Sequence, residues 1–167
     1  MDADLIALSE AVGTAALAGR GQARRLIATA ESCTGGWVAQ VITHTDGCTG
    51  WFERGFITYS NDAKTELLGV PPEILTTYGA VSPETAGEMA AGALNNSKAL
   101  ISLSITGIAG PTGGSRSKPV GTVCFGWCRV GETAETETVF FTGDREAVRR
   151  QSVVHVLRGL LRRLDAA

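Results

Sequence analysis

The chain has 167 residues, of which 44% are apolar, and a formal net charge of −2 at pH 7. This length and apolar content predict a single domain over residues 1–167 with a substantial buried core. The slightly acidic charge and the lack of a basic stripe interleaved with aromatic residues argue against nucleic acid as a partner. No apolar run approaches the ~20 residues that span a membrane, and the acidic start MDADLIALSE is unlike a signal peptide. We therefore expect no membrane association and a cytoplasmic location.

Apolar periodicity and cap residues predict helices and strands that alternate along the chain. The first helix begins near Leu5, and Gly19 and Gly21 mark its end. Ser82-Pro83-Glu84 opens a later helix, through Leu94, with a cap residue, a first-turn proline and an acid. The remaining helices are predicted over 36–43, 61–68 and 145–164, and the strands over 25–31, 56–59, 100–105, 121–129 and 137–141.

The alternation of strands and helices indicates an α/β fold, a single layered domain in which helices flank a central sheet. The last two predicted strands are joined by a short polar turn at Gly131-Glu132, which favours an antiparallel hairpin. The central β-sheet is therefore predicted to be mixed.

Residues 28–36, ATAESCTGG, place a serine where an apolar run ends and a glycine-opened helix begins. Ser32 is therefore predicted on a strand-to-helix turn, beside backbone N–H groups that lack partners within the helix. A hydroxyl beside free N–H donors is half of an acyl-transfer site, namely a nucleophile with an oxyanion hole. A serine here also suits a simple helix cap, and the segment alone leaves both interpretations open.

A second candidate group follows the strand 56–59, where Lys64 lies in the first turn of a predicted helix. The partial positive charge of a helix N-terminus favours the neutral amine, and burial would act in the same direction. A neutral lysine can serve as general base for a serine hydroxyl, with Tyr59 orienting or relaying the proton. The alternative is an exposed lysine that pairs with Asp62 or Glu66.

A glycine-rich loop covers residues 106–121 after the predicted strand 100–105. Its backbone N–H groups could hold an anion, with help from Thr106, Ser115 and Lys118. The loop contains neither G-x-x-x-x-G-K-[ST] nor G-x-G-x-x-G, so those signatures of nucleoside triphosphate and dinucleotide binding do not apply. Taken alone, the loop could equally be a connection without a ligand.

The four cysteines indicate neither a metal site nor a disulfide framework. Cys124 and Cys128 lie four residues apart on a predicted strand, roughly 13 Å from each other and too far apart to share one zinc ion. Disulfides are unexpected in an intracellular protein. Cys33 is an alternative nucleophile, with His44 or His155 as its partner.

Five motifs extend over nearly the whole chain, from about residue 5 to residue 160. They are AESCTGGWVAQVIT, WFERGFITYSNDAKTELLGV, YGAVSPETA, SITGIAGPTGGSRSKPVGTV and FTGDREAVRRQ. Together, and in this order, they resemble the CinA C-terminal domain family, in particular its stand-alone nicotinamide-nucleotide amidases.

The resemblance implies an α/β enzyme that hydrolyses the carboxamide of nicotinamide mononucleotide, yielding nicotinic acid mononucleotide and ammonia for NAD salvage. It implies Ser32 as the nucleophile, Tyr59 and Lys64 as the residues that activate it, no metal and no cofactor. It also leads us to expect a homo-oligomer. Substrate-binding positions are expected in the serine turn, the following turn, the glycine-rich loop and the GDR motif: Cys33, Thr34, Gly35, Gly36, Gly47, Thr106, Gly107, Gly110 and Arg145.

Two positions depart from the family pattern. Cys48-Thr49 stands where the family has two serines, and Thr106-Gly107 stands where it has Ser-Gly. The alternative from a different functional class is a nucleotide-binding or partner-binding module that has kept the fold for regulation. Such a module has no need of the intact serine, tyrosine and lysine, so the sequence favours an active enzyme.

Overall fold

The computed structural model describes residues 1–18 and 25–165 of the chain. Within these ranges the helices are α1 (Ala3–Leu17), α2 (Trp37–Ile42), α3 (Asn61–Leu68), α4 (Pro72–Tyr78), α5 (Pro83–Asn95) and α6 (Arg145–Asp165). The strands are β1 (Ile27–Glu31), β2 (Phe52–Ile57), β3 (Ile101–Gly107), β4 (Thr122–Arg129) and β5 (Glu135–Phe140), and a 3-10 turn covers Cys48–Gly50. No helix in the described ranges has both the length and the apolar content needed to cross a bilayer.

The described strands form a sheet in the order β2-β1-β3-β4-β5. β1 is parallel to both β2 and β3, whereas β4 is antiparallel to β3 and to β5. The predicted mixed sheet and the antiparallel hairpin of the last two strands are therefore confirmed.

Helices cover both faces of the sheet. The apolar side chains of α1, α2 and α6 form one buried cluster with one face of the strands, and those of α3 and α5 form a second cluster with the other. The side chains of β3 contact helices on both faces of the sheet. Its Leu103 belongs to the first cluster, whereas Ser102 and Ser104 donate hydrogen bonds to α5 carbonyls, at 2.6 and 2.5 Å. The serines interleaved in this apolar strand thus fasten α5 to the sheet.

The carboxyl ends of the three parallel strands meet at one edge of the sheet. Glu31, the last residue of β1, pairs with Ile57 on one side and with Ile105 on the other. The chain therefore leaves β1, β2 and β3 at nearly the same level. Ligand sites of open α/β sheets lie at this edge, so it is the first place to look for a functional site.

The structure differs from the sequence-based prediction at two elements. Helix α4 was not predicted because Pro71-Pro72 suggests a stop, but a proline is well tolerated in the first turn and opens this helix. β2 begins at Phe52 rather than at 56 and ends before Tyr59, because its polar, partly exposed residues belong to an edge strand and lack a clear apolar alternation. Gly19 and Gly21, the predicted end of the first helix, lie outside the described residues.

Gly159 permits the close approach of α6 to the sheet, because a Cβ at this position would overlap the indole ring of Trp127. Gly159→Ala is therefore expected to lower the free energy of unfolding by about 1–3 kcal/mol, although alanine favours helix. Urea unfolding measures this change. Arg158→Ala, on the exposed side of the same helix, serves as the control and should stay within about 0.5 kcal/mol of wild type. Equal stability of the two variants would contradict the packing described here.

Candidate active site

The turn after β1 is organised by a buried carboxylate. Glu31 is 1% exposed, and its Oε2 accepts hydrogen bonds from Thr34 Oγ1 at 2.7 Å, Gly36 N at 3.1 Å and Val38 N at 3.0 Å. Its Oε1 accepts from Ala39 N at 2.9 Å. The carboxylate thus satisfies the N-terminus of α2, where negative charge is favoured.

This arrangement answers whether Ser32 is a helix cap. The cap position of α2 is Gly36, no side chain at that position caps the helix, and the hydrogen-bonding partner of its first N–H groups is Glu31. The helix-cap interpretation of Ser32 is therefore wrong. The Ser32 hydroxyl does not cap α2.

The hydroxyl of Ser32 meets the amine of Lys64 at the edge of the sheet. Lys64 Nζ lies 3.2 Å from Ser32 Oγ, and the two side chains are 1% and 8% exposed. The lysine reaches this place because Ser60 caps α3 by accepting from Ala63 N, so that Lys64 follows in the first turn. Two residues predicted from separate segments are thus brought into contact.

The surroundings of Lys64 suit a neutral amine. Burial lowers its pKa, and none of the ion pairs among the described residues includes it. Nζ donates to the carbonyl oxygens of Thr58 at 2.8 Å and Tyr59 at 3.3 Å. A neutral amine has two N–H groups and one lone pair, so two carbonyls and one hydroxyl meet its needs. Lys64 can therefore accept the proton of Ser32.

Tyr59 contributes to this edge through two different atoms. Its carbonyl oxygen accepts from Lys64, while its side chain is 63% exposed and its hydroxyl accepts from Arg145 Nη2 at 3.4 Å. The backbone of Tyr59 thus holds the predicted base. Its hydroxyl lies toward the beginning of α6.

The backbone N–H groups of Cys33 and Thr34, beside Ser32, make no hydrogen bond to another of the described residues. The next two donors are occupied, because Gly35 N donates to Ser32 O at 3.1 Å and Gly36 N donates to Glu31. Of the four residues Cys33 to Gly36, only the first two therefore have an N–H group that is available to an oxyanion. The N–H of the residue after the nucleophile is also the donor that serine hydrolases with a strand-to-helix turn use.

Cys33 does not fit the alternative assignment as nucleophile. It is 6% exposed, and burial raises the pKa of its thiol to about 12, which opposes formation of the reactive thiolate. His155 is not its base, because the imidazole Nε2 lies 3.0 Å from Glu137 and the ring contacts Phe125. All four cysteines are free thiols.

Arg149 of α6 also reaches the serine turn, a contact that the sequence analysis does not predict. Its Nε donates to Cys33 O and its Nη2 to Thr34 O, both at 3.0 Å, while its guanidinium lies over the Trp37 ring. These partners are main-chain carbonyls more than a hundred residues away, which leave no pattern in the sequence. Glu31, in contrast, had a signal, because an acid ending an apolar strand just before a helix is a candidate for the helix N-terminus.

The glycine-rich loop is joined to this edge by Arg145. The Arg145 Nη1 donates to Gly110 O at 2.8 Å, so the arginine links the loop to Tyr59. Farther along the loop, Lys118 Nζ donates to Tyr78 O at 2.6 Å. Arg145 and Gly110, two of the expected substrate-binding positions, are therefore neighbours.

Thr106 and Gly107 serve the packing of β3 in this structure. Thr106 is 1% exposed and its hydroxyl donates to Ala80 O at 2.6 Å, so the hydroxyl is occupied within the fold. Gly107 faces Val123 of β4, and a Cβ there would come within 2.8 Å of that side chain. Both residues lie at the same edge of the sheet as Ser32, next to the end of β1 that precedes it.

Gly47 lies at the opposite end of the sheet from Ser32. The turn that contains it precedes β2, and the adjoining Trp51 O accepts from Ile27 N at the amino end of β1. Ser32 follows the carboxyl end of the same strand, roughly 13 Å farther along for a five-residue strand. The structure does not bring Gly47, or the neighbouring Cys48-Thr49, to the Ser32 edge within one chain.

Removal of the buried amine should change how stability depends on pH. Since burial lowers the pKa of Lys64, the unfolded chain binds this proton more tightly than the folded chain does. The disfavoured ammonium form therefore lowers the free energy of unfolding. This loss is absent above the pKa of the unfolded chain, about 10.4. It grows as the pH falls toward the lowered pKa of the folded chain and is constant below that lowered pKa. The free energy of unfolding of wild type, minus that of Lys64→Met, is therefore expected to rise with pH over the range between the lowered pKa and about pH 10.

Urea unfolding of both proteins over this range tests the expectation. The exposed Lys98 supplies the matched control, because Lys98→Met should show no comparable rise. A difference for Lys64→Met that is flat, or that falls with pH, would contradict a lysine whose ammonium form is disfavoured by burial.

Comparison with known proteins places this site in a family. The model of the CinA C-terminal domain matches residues 9–164. The chain is 52% identical over 159 residues to "Nicotinamide-nucleotide amidohydrolase PncC" of Escherichia coli strain K12, covering 95% of this chain and 94% of that protein. Identity is 49% over 135 residues with the protein of the same name from Pseudomonas putida, covering 81% and 84%. The crystal structure of competence/damage inducible protein CihA from Agrobacterium tumefaciens matches with a TM-score of 0.90 and 38% identity, over 99% of this chain and 98% of that one. The chain belongs to the CinA C-terminal domain family.

Proposed function

We propose that this chain hydrolyses the carboxamide of nicotinamide mononucleotide to nicotinic acid mononucleotide and ammonia. The observation that carries the proposal is the buried Lys64 amine, 3.2 Å from Ser32 Oγ and without a carboxylate partner among the described residues. The relatives named nicotinamide-nucleotide amidohydrolase supply the substrate class.

In the first half of the reaction, Ser32 Oγ attacks the carboxamide carbon while its proton passes to Lys64 Nζ. The carbonyl oxygen becomes an oxyanion, for which the N–H groups of Cys33 and Thr34 are the available donors. The ammonium of Lys64 keeps two protons on the carbonyls of Thr58 and Tyr59 and gives the third to the leaving nitrogen. The C–N bond breaks, ammonia leaves, and the nicotinoyl group remains as an ester on Ser32.

In the second half, water replaces ammonia at the same position. Lys64, neutral again, accepts a proton from the water as its oxygen attacks the ester carbon. The second tetrahedral intermediate uses the same two N–H donors. Its collapse breaks the bond to Ser32 Oγ, which takes the proton back from Lys64, and releases the acid product.

The phosphate of the substrate requires positive charge that the slightly acidic chain must supply locally. Arg145 is exposed at the beginning of α6 and already links Gly110 O to the Tyr59 hydroxyl. A guanidinium can bind a phosphate through two parallel hydrogen bonds, and the N–H groups of the glycine-rich loop can add further donors. We therefore assign the phosphate to Arg145 and the loop around Gly110, with Lys118 as a further cation of the same loop.

Ser32→Ala tests the nucleophile. Without the hydroxyl no ester forms, so ammonia release from nicotinamide mononucleotide is expected to fall by at least about a thousandfold. The folded state should persist, because among the described residues Lys64 is the one side chain that hydrogen-bonds to the Ser32 hydroxyl. Ser97→Ala, which lies before β3 at the opposite end of the sheet from Ser32, is the control and should keep most of the activity.

The same assay separates the enzyme from the alternative binding module. A module would bind nicotinamide mononucleotide in calorimetry yet release no ammonia even as wild type. If wild type is active and Ser32→Ala stays near its rate, the nucleophile is a different residue and the mechanism above is wrong.

Arg145→Ala tests the phosphate site. Loss of one charged hydrogen-bonding partner, about 1.5–3 kcal/mol, should raise KM for the nucleotide roughly ten- to a hundredfold with a smaller effect on kcat. Nicotinamide riboside lacks the phosphate, so wild type should use it poorly and Arg145→Ala should not lower its turnover further. Arg158→Ala controls for the loss of one positive charge from α6. If wild type uses riboside and nucleotide equally well, the phosphate assignment is withdrawn.

Three sequence-based expectations stay predictions: a single domain over residues 1–167, a homo-oligomer and a cytoplasmic location. The first is supported by the continuous sheet that the described strands form.

A further inference from the structure

Arg149 lies beside the site without reaching the nucleophile or the base. It belongs to the second turn of α6, and its fork-shaped guanidinium donates to two consecutive carbonyls of the serine turn, Cys33 O and Thr34 O. The Trp37 ring lies against it, with 5.4 Å between the guanidinium carbon and the ring centroid. The arginine is therefore held between the turn and the first residue of α2.

The bond from Arg149 Nε to Cys33 O fixes more than that oxygen. Cys33 C=O and Thr34 N–H belong to the same peptide unit, which is planar and trans, so the two bonds point in opposite directions. An arginine that holds the carbonyl on one side therefore sets the direction of the N–H on the other. That N–H is one of the two donors near Ser32 without an acceptor among the described residues.

The neighbouring donor is oriented by the same principle but by a different partner. Ser32 C=O and Cys33 N–H form the preceding peptide unit, and Ser32 O accepts from Gly35 N at 3.1 Å. A neutral main-chain donor thus orients Cys33 N–H, whereas a cation orients Thr34 N–H. A charged donor on the carbonyl also polarises the peptide and strengthens its N–H as a donor.

We propose that Arg149 is a positioning residue that fixes and polarises the Thr34 N–H of the oxyanion hole through the Cys33–Thr34 peptide. The inference rests on the proposed amidohydrolase function. On this proposal Arg149 stabilises the transition state without touching the substrate. Arg149 should therefore influence kcat and leave KM nearly unchanged.

The matched pair for the test is Arg149→Met and Arg150→Met. The two arginines are adjacent on α6 and equal in charge, but Arg150 pairs with Asp2 and Asp4 at the start of the chain. Removal of an oxyanion donor costs roughly a hundred- to a thousandfold in kcat, so misorientation of one is expected to cost about ten- to a hundredfold. Arg149→Met should show that loss with an unchanged KM, and Arg150→Met should behave as wild type.

A sulfur-substituted substrate distinguishes an effect on the oxyanion hole from general disorder of the turn. In thionicotinamide mononucleotide a weakly accepting sulfur replaces the carbonyl oxygen, so it gains less from the N–H donors. Wild type should prefer the oxygen substrate, and in Arg149→Met that preference should shrink by the same factor as kcat, about ten- to a hundredfold. Loss of turnover on both substrates by an equal factor would overturn the proposal.

Arg149→Lys provides a second test of the positioning role of Arg149. A lysine keeps the charge but lacks the fork that reaches two carbonyls, so its kcat and its oxygen-to-sulfur preference should lie between those of wild type and Arg149→Met. If Arg149→Met does not fold, the kcat of Arg149→Lys relative to wild type and its oxygen-to-sulfur preference test the positioning role instead. An inactive wild type would instead refute the proposed function, and an active Arg149→Met with normal kcat would refute only the positioning role.

Discussion

A carboxylate buried at the end of β1 occupies the N-terminus of α2, the place where an α/β protein often binds an external anion. Burial of a carboxylate is costly unless its oxygens are hydrogen-bonded, and Glu31 meets that condition with one hydroxyl and three main-chain N–H groups. Because the carboxylate uses the donors of the helix itself, the donors left over belong to the turn before it. The turn therefore has a fixed shape, and Ser32 stands at its beginning.

Glu31 and Lys64 show two opposite ways to bury an ionisable group within one small region. The carboxylate is surrounded by donors that compensate its burial, whereas the amine has two carbonyls, a hydroxyl and no counter-ion among the described residues. The first arrangement produces a rigid scaffold. The second disfavours the ammonium form and lowers the pKa of the amine, which costs some stability and favours the form of the lysine that can accept a proton.

Much of this could be predicted because local patterns determine it. The strand-turn-helix around Ser32 and the cap before Lys64 are visible in a few consecutive residues, and the structure has Ser32 after β1 and Lys64 in the first turn of α3, as predicted. What escaped prediction depends on contacts between distant segments. Arg149 binds main-chain carbonyls, the Thr106 hydroxyl is taken by a carbonyl from another loop, and Gly47 lies at the far end of a strand whose neighbours only the sheet topology reveals. Helix α4 was missed for a local reason, since a proline pair suits both the end of one element and the start of the next.

Helix α6 has a geometric consequence for the length of molecule that the site can hold. Arg145 and Arg149 are four residues apart, so they project from the same face of the helix about 6 Å apart along its axis. Beyond them the helix continues into the core through Val153, Val156 and Leu160, which holds the helix backbone in place against the sheet. One helical turn therefore sets the distance between the backbone positions of Arg145, which contacts the glycine-rich loop, and Arg149, which contacts the serine turn. Insertions or deletions in the glycine-rich loop would change its shape without changing that distance.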